Sequence, residues 1–322
     1  MSAALRILAP GAGPTIQDLG RRRAVHLGVP PSGAVDDYAH RVANWLVGNG
    51  AGCATLEMPL LGPRIEILAP ADIAVTGAAM GLRRNGVAQP QWTSLRVQPG
   101  DVLELGAADN GCRAYLAVTG GIDVPEVLGS RSTYLGGGLG GFEGRVLASG
   151  DLLPCGEGPL LAAPRRLPWT PLYPETIVLR AIPGPHDHWF ERSRDRFFAA
   201  TFTLSPRSDR MGCRLSGPLV ARDPEAPASL VSEPVVPGTV QIPADGQPIL
   251  LLREQTIGGY TVIATVISAD LWRIGQAKPG DAVRFVRVAL AEGQRLARKW
   301  QEFLAATERL LAGGPQHGPL KG

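Results

Sequence analysis

The sequence predicts a mainly β fold with a few helices, from three observations. Glycine and proline are abundant, 41 and 29 of 322 residues, while aromatic side chains make up only 6%. Short Val/Ile/Leu-rich runs alternate with Gly/Pro turns, which is the profile of many brief strands. Helical periodicity, by contrast, shows in only a few stretches.

In chain order, RIEIL, DIAVTGA, DVLELGA, RAYLAVT and RVLASGDLL read as strands of a first half that ends near Pro154. The segment 158–175, GPLLAAPRRLPWTPLYPE, breaks the pattern with repeated proline and reads as a linker. Strands resume at TIVLRAIPG. The expected division is therefore an N-terminal β domain over 1–157, a linker over 158–175, a C-terminal β domain over 176–289, and a helix with a frayed tail over 290–322. A turn-plus-strand unit recurs: PGDVLEL at 99–105 echoes PGDAVRF at 279–285, with GDLLP at 150–154 a weaker third copy. Such turns are common enough that the echo alone does not establish a duplication.

Asp36 is the natural N-cap of a helix DYAHRVANWLV, with Tyr38, Val42, Trp45 and Leu46 on one face and Gly48 closing it. A short helix is expected over 189–198. A longer one runs over 290–311, with Leu296, Trp300, Leu304 and Leu311 on one stripe before Gly313-Gly314-Pro315.

A formal charge of +3, evenly spread, argues against a nucleic-acid partner. Lysine occurs only at 278, 299 and 321. Cys53, Cys112, Cys155 and Cys213 are widely spaced and read as small buried residues rather than metal ligands or disulfides. His186-Asp187-His188 lacks a nearby third ligand, so Asp187 is expected to cap a helix and no metal is predicted. No leader pattern shows, and no apolar run nears ~18 residues, so a soluble cytoplasmic protein without membrane contact is expected. The loop at 136–141 fits G-x-G-x-x-G but precedes the strand-like FEGRVL and no helix, which speaks against a dinucleotide site.

Three C-terminal segments crowd hydrogen-bonding side chains onto strand-like sequence: SDRMGCRLSGP (208–218), SEPVVPGTVQIPADGQPILLL (232–252) and REQTIGGYTVIATVISADLWRIGQAKPGD (253–281). Buried strands rarely carry so many polar groups without partners for them. Together with TIQDLGRRRAVHLGVPPSGAVDDYAHRVANWLVGN (15–49), Leu56-Glu57, Leu61-Gly62-Pro63, Thr76-Gly77-Ala78 and YLAVTGGIDVPEVLGSRSTYL (115–135), they resemble the carboxyltransferase-type family. That family includes the allophanate hydrolase subunit 2-like proteins, the C-type component of bacterial 5-oxoprolinase, and the kinase-inhibitor antagonist of sporulating bacteria. The resemblance reaches nearly the whole chain, to about Val288.

The resemblance implies two cyclophilin-like β-barrel domains and small amide, urea or lactam substrates. A planar amide offers a donor edge and an acceptor edge, both of which a glutamine can match. Gln241 and Gln255 are accordingly expected to orient substrate, with Thr256 and Asp209 beside them. Arg210 offers a fixed cation for a carboxylate or phosphorylated intermediate. Tyr260, after two glycines, suits a developing oxyanion, and Glu233, if buried, is the natural general base. Arg131 and Tyr134 are candidate ligand contacts in the first half. Gln17-Asp18 and Ser32-Gly33-Ala34 are expected, from the resemblance alone, to form partner or groove surface.

Three positions depart from the family pattern. Asp209 replaces a usual Asn, Arg253 replaces a usual Asp, and Thr261 replaces a common Pro. Asp209 and Arg253 either compensate as an ion pair or alter substrate choice. No phosphate-binding GxxxxGK[ST] and no Met-Lys biotin site occurs, so ATP or carrier-borne biotin would come through another polypeptide. The leading expectation is the C-type subunit of an ATP-dependent 5-oxoprolinase complex with A-type and B-type partners, the B-type being of related fold. The alternatives are the biotin-dependent carboxyltransferase part of a urea carboxylase system, and a non-catalytic subunit that binds a kinase inhibitor.

Overall fold

The computed structural model describes residues 3–227 and 230–313. In the first half, β1 (Ala3–Ala9), β2 (Thr15–Gln17), β3 (Thr55–Pro59), β4 (Arg64–Ile67), β5 (Ala71–Ala79), β6 (Arg83–Arg84), β7 (Val87–Ala88), β8 (Ser94–Val97), β9 (Val102–Glu104), β10 (Asn110–Val118) and β11 (Leu152–Pro154) form two sheets. Their strand orders are β11-β1-β4-β9-β6-β7 and β2-β3-β10-β5-β8. Leu5, Ile7, Ile65 and Ile67 from the first sheet meet Leu56, Ile73, Val75, Leu116 and Val118 from the second in one core. Each such side chain, fully withdrawn from water, contributes about 1.5–3 kcal/mol.

The strands β5 and β10 are buried on both faces, and their alternation shows why. Ile73, Val75, Leu116 and Val118 face the sheet-to-sheet core, whereas Ala74, Tyr115 and Ala117 face α1 (Asp37–Leu46). As the sequence requires, the carboxylate of Asp36 caps this helix by accepting from Ala39 N–H at 2.9 Å.

The second half is a closed barrel of β12 (Thr176–Pro183), β19 (Thr261–Val266), β16 (Thr239–Ile242), β17 (Ile249–Leu251), β14 (Gly212–Ser216), β13 (Thr201–Leu204) and β20 (Ala282–Arg287). The parallel pairing of β12 with β20 closes it. A two-stranded flap, β15 (Glu233–Pro234) with β18 (Ile257–Gly258), lies outside the barrel. The helices α2 (Arg194–Ala199) and α3 (Leu271–Ile274) are short. The last helix, α4 (Leu290–Leu311), lays Trp300, Phe303, Leu304 and Leu311 against Tyr38 and α1 of the first half. The expected stop at Gly314-Pro315 and the tail lie outside the described residues. Among the described residues no helix is long and apolar enough to cross a membrane.

Two strand expectations need correction. RVLASGDLL forms a strand only from Leu152, and FEGRVL is a turn. Glu143 and Gly144 both take positive φ there, which curls the chain away from any pairing partner. The helix expected over 189–198 is split into a 3-10 turn, Asp187–Phe190, and α2. The repeated turn proves physically uniform. Asp101, Asp151 and Asp281 each accept from the backbone N–H three residues earlier, at 2.8–2.9 Å.

Candidate functional site

Charged side chains stand on central strands where apolar ones are the rule, and the fold answers each with partners. Glu57 on β3 is buried beside Tyr115 on β10, which donates to Glu57 Oε2 at 2.7 Å; the Val35 N–H donates to the same oxygen at 3.1 Å. From the loop before β14, Arg210 reaches across the junction of the two halves. Its Nη1 pairs with Glu57, its Nε with Glu254 at 2.6 Å, and its Nη2 donates to the Gly33 carbonyl at 2.7 Å. Burial pushes the Glu57 carboxyl up, but Arg210, Arg113, Tyr115 and Val35 outweigh it and hold it below the usual range. Gln276 completes the junction. Its oxygen accepts from the amides of Cys112 and Arg113 at 2.9 and 3.0 Å, and its Nε2 donates to Asp36 and the Arg113 carbonyl at 2.7 and 2.8 Å. All three nitrogens of Arg210 are thus engaged by the protein itself.

A short distance along the barrel the polar groups are treated differently. A register shift between Val240 and Gln241 interrupts the β16–β19 ladder, the kind of irregularity that re-aims a side chain. Gln241 is only 3% exposed, yet its Nε2 has no hydrogen-bond partner among the described residues. The side chain runs past Gly258, where an added Cβ would come within 2.2 Å of that nitrogen and push the amide aside. Gln241, Gln255, Tyr260 and Asp209 line one groove of about 260 Å³, floored by Ile249 and Leu251. A buried amide donor without a partner costs about 1–3 kcal/mol unless a ligand supplies an acceptor.

The other expected residues distribute as follows. Tyr260, half exposed, stands between this groove and a neighbouring cavity of about 180 Å³ that Glu233 also lines. Glu233 lacks the burial expected of it: on the outer flap its side chain is 55% exposed, 3.9 Å from His186 Nε2. His186 accepts from the Val262 amide at 3.0 Å and stacks on Trp189, and burial holds its imidazole below the usual range. Thr256 donates to the Gly28 carbonyl at 3.3 Å. Asp209 forms no ion pair with Arg253. Its carboxylate accepts from the amides of Met211 and Gly212 at 2.8 and 3.2 Å, while Arg253 turns into a separate cleft.

Arg131 and Tyr134 are not among the groove residues. Arg131 is held by Asp123 and Glu126 at 2.9 and 2.5 Å, and the Tyr134 ring lies over Gly136 and Gly137 of its own loop. Gln17, Ser32 and Ala34 are fully buried, which corrects the expectation that they form surface. Gln17 hydrogen-bonds Thr15, Thr133 and Gly33, and Asp18 accepts from Ser130, Gly20 and Arg131, tying the N-terminal motif to the 130–133 loop. Asp187 caps no helix through its side chain and instead pairs with Arg194 at 3.3 Å. Among the described residues no group of three His, Cys, Asp or Glu stands close enough to hold a metal.

A closed barrel joined to two packed sheets, with a groove lined by barrel-half residues, defines the class. The chain belongs to the carboxyltransferase domain family, subdomains A and B, whose pattern matches residues 27–287. It is 39% identical to the C-type component of 5-oxoprolinase from Escherichia coli (strain K12), over 93% of this chain and 96% of that protein. It is also 35% identical to urea amidolyase of Lachancea kluyveri, over 91% of this chain but 17% of that much longer protein. The crystal structure of Kluyveromyces lactis urea amidolyase superposes with a TM-score of 0.87 at 32% identity, over 95% of this chain and 20% of that one.

Proposed function

We propose that the Gln241 groove receives a planar amide or lactam, and that the chain is the C-type subunit of an ATP-dependent 5-oxoprolinase acting with A-type and B-type subunits in the cytoplasm. One observation carries the reading: a buried amide donor without a partner, at Gln241 Nε2, in a groove shared with Gln255 and Tyr260. Gln241 donates to the lactam carbonyl, and Gln255 pairs with its remaining edge. Tyr260 donates to the oxyanion that forms when water adds to the carbonyl carbon. The C–N bond then breaks, and the ring nitrogen leaves as an amine with a proton taken from the attacking water. ATP, bound in the complex, would activate the carbonyl by giving its terminal phosphoryl group to the carbonyl oxygen and leaving as ADP; after ring opening a second water would release that group as phosphate, freeing the carboxylate. Glu233, with His186 beside it, lines the neighbouring cavity and helps only to position water from the rim, without taking its proton. The near end-to-end match to a 5-oxoprolinase component supports this assignment.

A second reading, carboxyl transfer to urea from biotin on a separate carrier, is favoured by the likeness to urea amidolyase. Reconstitution with each subunit omitted in turn separates the two. Glutamate release from 5-oxoproline that requires this chain, and falls in Gln241→Ala, supports the first. Carboxylation of urea in place of glutamate release would replace it with the second.

A further inference from the structure

Beside the groove runs a cleft whose charge the amide reading does not use. One cavity of about 490 Å³ is lined by Arg22, Arg41 and Arg253, and one of about 400 Å³ by Arg21, Arg22, Arg23 and Arg41. They share Arg22 and Arg41, so they lie next to each other, with five arginines lining the two. Asp37 is the one carboxylate among the lining residues, and it lies 3.8 Å from Arg41. The arginines arrive from distant parts of the chain: a 3-10 turn, Arg22–Leu27, with the residue before it; α1; and the loop after β17.

Elsewhere the fold pairs its buried arginines, as at Arg210. Here Arg22, Arg23 and Arg253 make no ion pair or side-chain hydrogen bond among the described residues. Arg41 Nε is buried without a hydrogen-bond partner, and Arg21, whose Nε and Nη2 donate to the Val127 and Ser132 carbonyls, keeps only Nη1 unpartnered. Burial holds the Arg253 guanidinium below its usual basicity, and Arg22 and Arg210 push the same way against Asp37. Mutually repelling cations in a concave site are stabilised by an anion of matching multiplicity. Guanidinium groups also grip phosphate oxygens bidentately. Gln255 lines both this cleft and the amide groove, which places the two side by side.

We infer that this arginine cleft binds a multiply charged phosphate chain, of the di- or triphosphate class, next to the amide groove. The inference does not depend on which amide the groove takes. Two sources share that chemistry, a nucleoside triphosphate and free polyphosphate.

The test is titration calorimetry of the full chain without partners, using tripolyphosphate, ATP and acetate as probes at about physiological salt. Saturable one-site binding of tripolyphosphate or ATP, each displacing the other and neither displaced by acetate, is expected. Tighter binding of ATP identifies the nucleotide as the source, and equal affinity identifies the phosphate chain alone. Arg22→Gln with Arg253→Gln is expected to weaken binding by about tenfold or more, while Arg207→Gln, on an exposed turn outside the cleft, leaves it unchanged. Thermal unfolding of the double variant within a degree or so of the parent shows that the loss is not misfolding. No binding at millimolar probe, displacement by acetate, or affinity unaltered in the double variant would overturn the inference. Because no lactam or partner protein is present, failure here leaves the amide reading standing, and failure of that reading leaves this one.

Discussion

Arg210 and Gln241 stand in the same half of the molecule, one on the loop before β14 and one on β16, and the fold treats them in opposite ways. Every nitrogen of Arg210 is taken by Glu57, Glu254 or the Gly33 carbonyl. Gln241, withdrawn further from water than Arg210, keeps a donor without a partner among the described residues. Since buried polar groups are hydrogen-bonded almost without exception, the saturated cluster reads as the bolt between the halves and the unsaturated one as a place for a ligand.

Four measurements break or sharpen that contrast. Arg210→Ala takes from the buried Glu57 carboxylate its nearest cation, leaving Arg113 at 3.8 Å, and removing one partner of a buried pair costs about 3–5 kcal/mol. Thermal unfolding is expected to drop by several degrees; an unchanged transition with lost turnover would move Arg210 from the bolt to the chemistry. Next in size is an effect of pH. Burial pushes His40 down to about 4, and it hydrogen-bonds Thr55 and the Ala51 carbonyl. An unfolded imidazole titrates near ~6.5, so between those values the unfolded chain takes a proton that the fold refuses. The His40 term alone therefore lowers stability as pH drops from ~6.5 toward 4, by on the order of 3 kcal/mol. Asp36 works in the opposite sense: raised to about 7 by burial, it contributes below an unfolded value of ~3.9 and loses that contribution as pH climbs to 7. Comparing the parent with His40→Gln in urea at several pH values isolates the first term. Stability curves that stay parallel on acidification would remove it.

Gln241→Ala is expected to lower kcat/KM of the reconstituted complex by about ten- to a hundredfold, the worth of one buried hydrogen bond to substrate, with unfolding unchanged. Lost stability with intact turnover would invert the contrast. The smallest effect belongs to Glu233→Gln, whose half-exposed carboxylate predicts less than about a threefold change. A loss near a hundredfold would establish it as the base after all.

Local features were legible in the sequence. The Asp36 cap, the strands RIEIL and DIAVTGA, and the proline-glycine-aspartate turns depend on neighbours a few residues away, and propensity and period reach that far. RVLASGDLL misled because a strand needs a partner, and its Val146 and Leu147 find none in either sheet. Gln241, Gln255, Tyr260 and Asp209 were all singled out, and the barrel brings them to one groove. The junction escaped, since Arg210 meets Glu57 across 153 residues and Gln276 meets Arg113 across 163. A trace was present: Glu57 and Arg113 interrupt otherwise apolar central strands, and a charge there demands a partner from somewhere. The arginine cleft left only a partial trace, the run Arg21-Arg22-Arg23, because Arg41 and Arg253 join it from far along the chain and each reads singly as a surface residue.

The aromatic contact of α4 has an optical consequence. Trp272 of the barrel half stacks on Trp300 of α4 at 5.7 Å and 5°, and Tyr38 of the first half lies 5.7 and 5.6 Å from the two rings. Chromophores from three segments are thereby coupled at the seam. Near-ultraviolet circular dichroism and tryptophan emission from this chain report directly on whether its halves are joined, with no label attached.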